Sequence, residues 1–89
     1  MRYKIELAYN GSNYAGWQIQ PNAPTVQEAI DRALSTIANT SIETMGCGRT
    51  DAGVHAKFFV AHFDGPDGLP SDLSHRLNKM VPGDIHIIS

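Results

Sequence analysis

Residues 25–39 constrain the fold more than any other part of the chain. Val26, Ala29, Ile30, Ala33, Leu34, Ile37 and Ala38 recur at the spacing of a single helix face. Thr25 with Glu28 three positions on reads as a capping box, and Asn39 is a plausible stop. A helix with so continuous an apolar stripe must lay it on a partner, and the flanking sequence supplies a sheet. Residues 3–9 alternate, with Tyr3, Ile5, Leu7 and Tyr9 on one face and Lys4, Glu6 and Ala8 on the other, the pattern of a half-buried strand. Asn10-Gly11-Ser12-Asn13 is turn chemistry, and residues 14–24 form an irregular loop around Trp17. Residues 41–47 are a weaker strand, and Phe58 to Phe63 read as a strand buried on both faces. After the turn at Gly65-Pro66-Asp67-Gly68, Ser71 or Asp72 opens a second helix with Leu73, Leu77, Met80 and Val81 on one face. Pro82-Gly83 stops that helix, and residues 84–89 are a last strand. The order βαββαβ predicts an α+β, ferredoxin-like sandwich, a four-stranded antiparallel sheet with two helices on one face.

A chain of 89 residues is expected to make one domain, 1–89, with a modest core. Its composition is 42% hydrophobic and 18% charged, that of a soluble globular protein, and no apolar run approaches a membrane span. The N-terminus enters the first strand pattern directly, leaving no room for a signal peptide, so the expected location is cytoplasmic. The lone Cys47 cannot form an internal disulfide. The net charge is −2 and the seven basic residues are spread along the chain, which argues against autonomous nucleic-acid binding. The final strand stops on Ile87-Ile88-Ser89 and reads as a cut, or as an edge that something else covers.

The fold carries no function by itself, and the chemistry has to come from a local site. The candidate is Gly46-Cys47-Gly48-Arg49-Thr50-Asp51-Ala52-Gly53-Val54-His55-Ala56, where glycines frame one arginine and one aspartate. It fails as a dinucleotide fingerprint, because Asp51 stands at the third glycine position, and it lacks the Gly-Lys-Ser/Thr of a P-loop. Two readings remain open on local chemistry. In one, the glycines close a tight connection and Asp51 bonds to backbone. In the other, Arg49, two residues away in extended backbone, projects to the same side as Asp51 and keeps its carboxylate ionised. An ionised carboxylate can act as nucleophile, base or electrostatic stabiliser. His55 could support the loop. His62 reads as a core or interface group, and His75 and His86 point outward. No set of these residues has metal-ligand spacing, and no cofactor is expected. Trp17 could stack on a base or act as a packing lid. Phe59-Val60-Ala61 followed by His62 matches the third-strand pattern of the RNA-recognition motif only weakly, and a core strand accounts for it better.

The segment Gly48-Arg49-Thr50-Asp51-Ala52-Gly53-Val54-His55-Ala56 resembles the signature of the tRNA pseudouridine synthase A family. Tyr9-Asn10-Gly11-Ser12-Asn13-Tyr14-Ala15-Gly16-Trp17-Gln18-Ile19-Gln20 is similar to that family's N-terminal motif, and Thr25-Val26-Gln27, Leu77-Asn78 and Pro82-Gly83-Asp84-Ile85 follow in order. Asn10 stands where the family usually has Asp. Family members are much longer, with two similar halves across a basic cleft, and this chain resembles the first half only. The resemblance implies that Asp51 is the essential carboxylate in converting uridine of a tRNA anticodon stem-loop to pseudouridine. Asp51 would attack C1′, attack C6, or remove a ribose proton, and the sequence leaves these three open. Arg49 would orient Asp51 or contact the RNA, Gly48 and Gly53 would let the loop approach it, and Thr50 and His55 would support the loop. The implied partners are tRNA, the C-terminal half of the same protein and a second subunit in a homodimer, with no membrane. The half-protein is expected to be inactive alone and to self-associate through exposed apolar surface from the sheet face or the Trp17 loop. The contrasting reading is a stand-alone ferredoxin-like module that binds RNA or protein without catalysis.

Overall fold

The computed structural model describes residues 1–48 and 53–89. Its elements in chain order are β1 (Arg2–Tyr9), a 3₁₀ turn (Gly11–Asn13), α1 (Val26–Ala38), β2 (Met45–Gly46), β3 (Ala56–Asp64), α2 (Leu73–Met80) and β4 (Ile85–Ile87). The strands form one antiparallel sheet in the order β2-β3-β1-β4, the ferredoxin-like α+β arrangement expected from the element order. β1 and β3 are its centre, paired from Arg2↔Asp64 to Leu7↔Phe59, after which the register slips so that Tyr9 faces Ala56. That irregularity places an extra residue in β3 where it leaves the candidate loop.

The alternating side chains decide which face is buried. Ile5, Leu7 and Tyr9 of β1, Phe59, Ala61 and Phe63 of β3, and Ile85 and Ile87 of β4 share one core with Val26, Ile30, Ala33 and Leu34 of α1 and Leu77 of α2. The opposite face is open. The expectation that β3 is buried on both faces is therefore corrected: Phe58 is 59% exposed, and Val60 and His62 are only partly covered. An apolar run does not reveal whether a second layer exists, and here both helices serve the same side. His62 correspondingly lies on the open face, its Nδ1 2.8 Å from the Arg2 guanidinium.

Thr25 caps α1 as its spacing predicts, its hydroxyl oxygen accepting from the Glu28 amide at 3.3 Å. Asn39 ends the helix in the left-handed conformation at φ 55°. The return half of the capping box is replaced by a surface ion pair of Glu28 with Arg32. On α2, Asp72 precedes the helix without a side-chain cap bond and pairs instead with Arg76 Nε at 2.9 Å. Met80, expected on the apolar face, is 43% exposed, and Val81 just beyond the helix is buried in its place.

The expected strand at 41–47 contracts to two residues for a specific reason. The Ile42 amide donates to Ser35 Oγ at 2.9 Å, the Thr44 amide donates to Asp31 Oδ1 at 3.0 Å, and Gln27 Nε2 donates to the Thr44 carbonyl at 2.6 Å. Gln27, Asp31 and Ser35 are successive i, i+4 positions, one polar row on α1. Ile42 and Thr44 thus give backbone bonds to helix side chains, and pairing with β3 begins only at Met45, continuing through Gly46 to the Cys47 amide. Asp31 is buried, and its carboxyl is held above the ordinary aspartate value of 3.8. Burial is the main cause, opposed by the two Thr44 bonds and aided slightly by the Glu43 charge.

The outer edge of β4 is closed by a side chain. Asn78 of α2 donates through Nδ2 to the Ile87 carbonyl at 2.9 Å and accepts from the Ile87 amide at 2.8 Å, taking the place of a further strand.

Two outcomes are expected. Asn78→Ala leaves both Ile87 backbone groups without these partners and lowers stability by about 1–3 kcal/mol, read by thermal or urea denaturation. For Asp31, a raised folded-state value means that the stability it contributes is present below 3.8 and is lost as pH rises through that higher value. Asp31→Asn should therefore gain on the unsubstituted chain as pH increases from about 4 towards 7. Parallel urea midpoints for the two proteins across that range would contradict it.

Candidate active site

The N-terminal arm of the glycine-framed segment is pinned to the sheet and the C-terminal arm to the turn after β1. On the N-terminal arm, Gly46 lies beneath Trp17 and Phe59, where an added Cβ would come within 2.5 Å of the Trp17 indole nitrogen. The Cys47 amide then donates to the Val60 carbonyl at 2.9 Å, and Gly48 follows at φ 134°, a conformation that side chains resist. On the C-terminal arm, the Gly53 amide donates to the Tyr14 carbonyl at 3.1 Å. The Val54 carbonyl lies so close over Gly11 that any Cβ there would overlap it. His55 Nδ1 accepts from the Gly11 amide at 2.9 Å, which assigns the proton of its neutral ring to Nε2.

These contacts converge on the turn after β1. Asn10 caps it, its side-chain oxygen accepting from the Ser12 amide, a task that the aspartate usual in the resembled family could equally perform. The turn is tied in turn to the start of β4. Tyr14 Oη donates to Asp84 Oδ1 at 2.7 Å, Asn13 Nδ2 reaches Oδ2 at 3.5 Å, and the Asn10 amide donates to the Asp84 carbonyl at 2.8 Å. Burial first, and the Asp84 carboxylate second, push the Tyr14 hydroxyl well above the ordinary tyrosine value. Beside this junction the strand ends form a groove of about 680 Å³, lined in part by His55, Lys57, Asp84 and His86.

Of the residues singled out from the sequence, Gly48, Gly53 and His55 stand on these arms. Arg49, Thr50 and Asp51 lie outside the described residues. Trp17 is 2% exposed, with its ring centroid 4.6 Å from that of Phe59, so it is core and offers no stacking platform. Phe59 is likewise buried, which removes it from any role like that of the RNA-recognition motif, and Phe58 is the aromatic of this strand on the open face. Cys47 is exposed. Sequence reasoning placed Tyr14 and Asp84 within longer motifs and gave neither a role of its own. Their pairing spans 70 positions, and nothing in the local pattern of either residue announces it.

No family model matches the chain. Whole-chain comparison finds close relatives. The chain is 53% identical over 89 residues to the tRNA pseudouridine synthase A of Porphyromonas gingivalis, an alignment covering 97% of this chain and 35% of that protein. It is 53% identical over 87 residues to the tRNA pseudouridine synthase A of Bacteroides thetaiotaomicron, covering 97% of the chain and 32% of the relative. With the protein of the same name from Limosilactobacillus fermentum, identity is 50% over 88 residues, covering 94% and 34% respectively. The chain therefore spans about 35% of the length of the curated relatives it matches, their N-terminal part. Over that span, the chain is similar throughout to the N-terminal part of proteins named tRNA pseudouridine synthase A.

Proposed function

We propose that this chain is the aspartate-bearing part of a tRNA pseudouridine synthase, with Asp51 as the essential carboxylate. The observation that carries the reading is identity of 53% spread over 97% of the chain to a protein of that name. The described arms are compatible with it: Cys47 and Gly53, on either side of that segment in sequence, are each held by a backbone hydrogen bond, and His55 of the second arm lines a groove at the strand ends. The substrate is uridine in a tRNA anticodon stem-loop, which has to leave its stack to be reached. The reaction is an isomerisation. The N1–C1′ bond breaks, the uracil turns, C5 bonds to C1′, and the C5 proton is lost while N1 regains one. Arg49 keeps Asp51 ionised and contacts the RNA, Gly48 and Gly53 permit close approach, and Thr50 and His55 support the loop.

The rest of the enzyme comes from elsewhere. The open sheet face exposes Phe58 and Met45, each at 59%, together with Ile88. This surface suits a C-terminal half, with a second copy completing a homodimer in the cytoplasm. Among the described residues no helix is long and apolar enough to cross a membrane. A second reading, a binding module without catalysis, is favoured only by the share of the relatives' length that the chain spans.

The test is tritium release from tRNA labelled at C5 of uridine. It is run on the 89-residue chain and on the chain joined to the C-terminal part of the Porphyromonas gingivalis relative. Turnover by the joined protein should fall to background in Asp51→Ala, with tRNA binding retained. Retained turnover refutes the assignment, and tight RNA binding by the short chain with no turnover in either form supports the module.

A further inference from the structure

Tyr14 is bonded at every polar atom it has. Its amide donates to the Gly11 carbonyl at 3.0 Å, its carbonyl accepts from Gly53, and its hydroxyl donates to Asp84. The C-terminal arm is held at two points, Gly53 and His55, and both anchors, Tyr14 and Gly11, belong to one short turn. That turn is fastened to Asp84 at the head of β4 from three sides, by Asn10, Asn13 and Tyr14. A mechanical path therefore runs from β4 through Asp84 and Tyr14 to the arm that follows Asp51. Tyr14 and Asp84 are only half-buried, and Asp84 lies outside the apolar core cluster. The hydroxyl-to-carboxylate bond thus fixes geometry without adding apolar burial. The raised titration of the Tyr14 hydroxyl keeps it a donor throughout the neutral range.

We infer that Tyr14 and Asp84 are positioning residues, setting the Gly53–His55 arm and, through it, the carboxylate of Asp51. The inference rests on the reading of Asp51 as the catalytic group, and it deepens that reading by naming what holds the group in place.

The decisive variant is Tyr14→Phe, which keeps the ring and the backbone carbonyl and removes only the bond to Asp84. Asp84→Asn and the double variant complete a cycle. In the labelled chain, nuclear magnetic resonance follows amide exchange at Gly53 and Gly11, exchange at the core amides of Leu7 and Ala61, and the pH titration of the Asp51 carboxyl carbon. Tyr14→Phe should speed exchange at Gly53 and Gly11 by about tenfold to a hundredfold, the worth of one hydrogen bond to a charged group. Leu7 and Ala61 should stay within about twofold of the unsubstituted chain. The Asp51 titration should shift in Tyr14→Phe, and adding it to Asp84→Asn should produce little further change, because the same bond is lost only once. An unmoved Asp51 titration in Tyr14→Phe overturns the inference, as does equal acceleration of the arm and core amides. These readouts need no turnover, so they stand or fall separately from tritium release by Asp51→Ala.

Discussion

The polar row Gln27, Asp31 and Ser35 on α1 is the interaction on which the rest of the site depends. The helix already has its apolar face committed to the sheet, and this row gives it a second, directional contact. By taking the backbone bonds of Ile42 and Thr44, it determines where the chain is released into the sheet as β2. Release at Met45 puts Gly46 under Trp17 and Phe59, a place that only a residue without a side chain can occupy. The N-terminal arm of the aspartate segment leaves the sheet from there. A buried carboxylate is a costly means of docking a strand, and the raised value at Asp31 records that cost. What it supplies is direction, since a carboxylate oxygen accepting from both the Thr44 amide and the Thr44 hydroxyl admits one placement of the segment.

The C-terminal arm is set by different means. The N-terminal arm is fixed through α1 and β2. The other is fixed through the turn after β1, itself bonded to β4. Four stretches far apart in sequence therefore contribute to one short connection. Glycine has a separate reason at each point: Gly46 and Gly11 for close approach, Gly48 and Gly53 for positive φ. Such convergence suits the role proposed for Asp51, because a small displacement of a reacting group costs a large part of its advantage.

The elements are largely legible in the sequence. The stripe from Val26 to Ala38, the cap at Thr25, the stop at Asn39 and the alternation of β1 all follow from periods of 3.6 and 2 and from capping chemistry. The failures share one cause. Whether Phe58 is covered, whether Met80 faces in, and whether residues 41–44 pair as a strand depend on what the rest of the chain lays against them, and a local pattern contains no record of that. The site divides in the same way. Gly48, Gly53 and His55 stand out by composition. The Tyr14–Asp84 bond, with 70 positions between its partners, has no local signature.

By itself, the sequence determined the element order, the helix bounds, the inward set of β1 and the likeness to proteins named tRNA pseudouridine synthase A. Those properties reside in side chains acting on near neighbours, or in residue identities that can be matched directly. Only the tertiary structure decided that the sheet has one open face and that Trp17 is core. It alone showed that α1 intercepts the second strand and that a turn locked to β4 holds Gly53 and His55. Each of these is a contact between segments whose approach is set by packing the whole chain, and hydrogen bonds and close backbone contacts select among arrangements that hydrophobic patterning leaves equivalent.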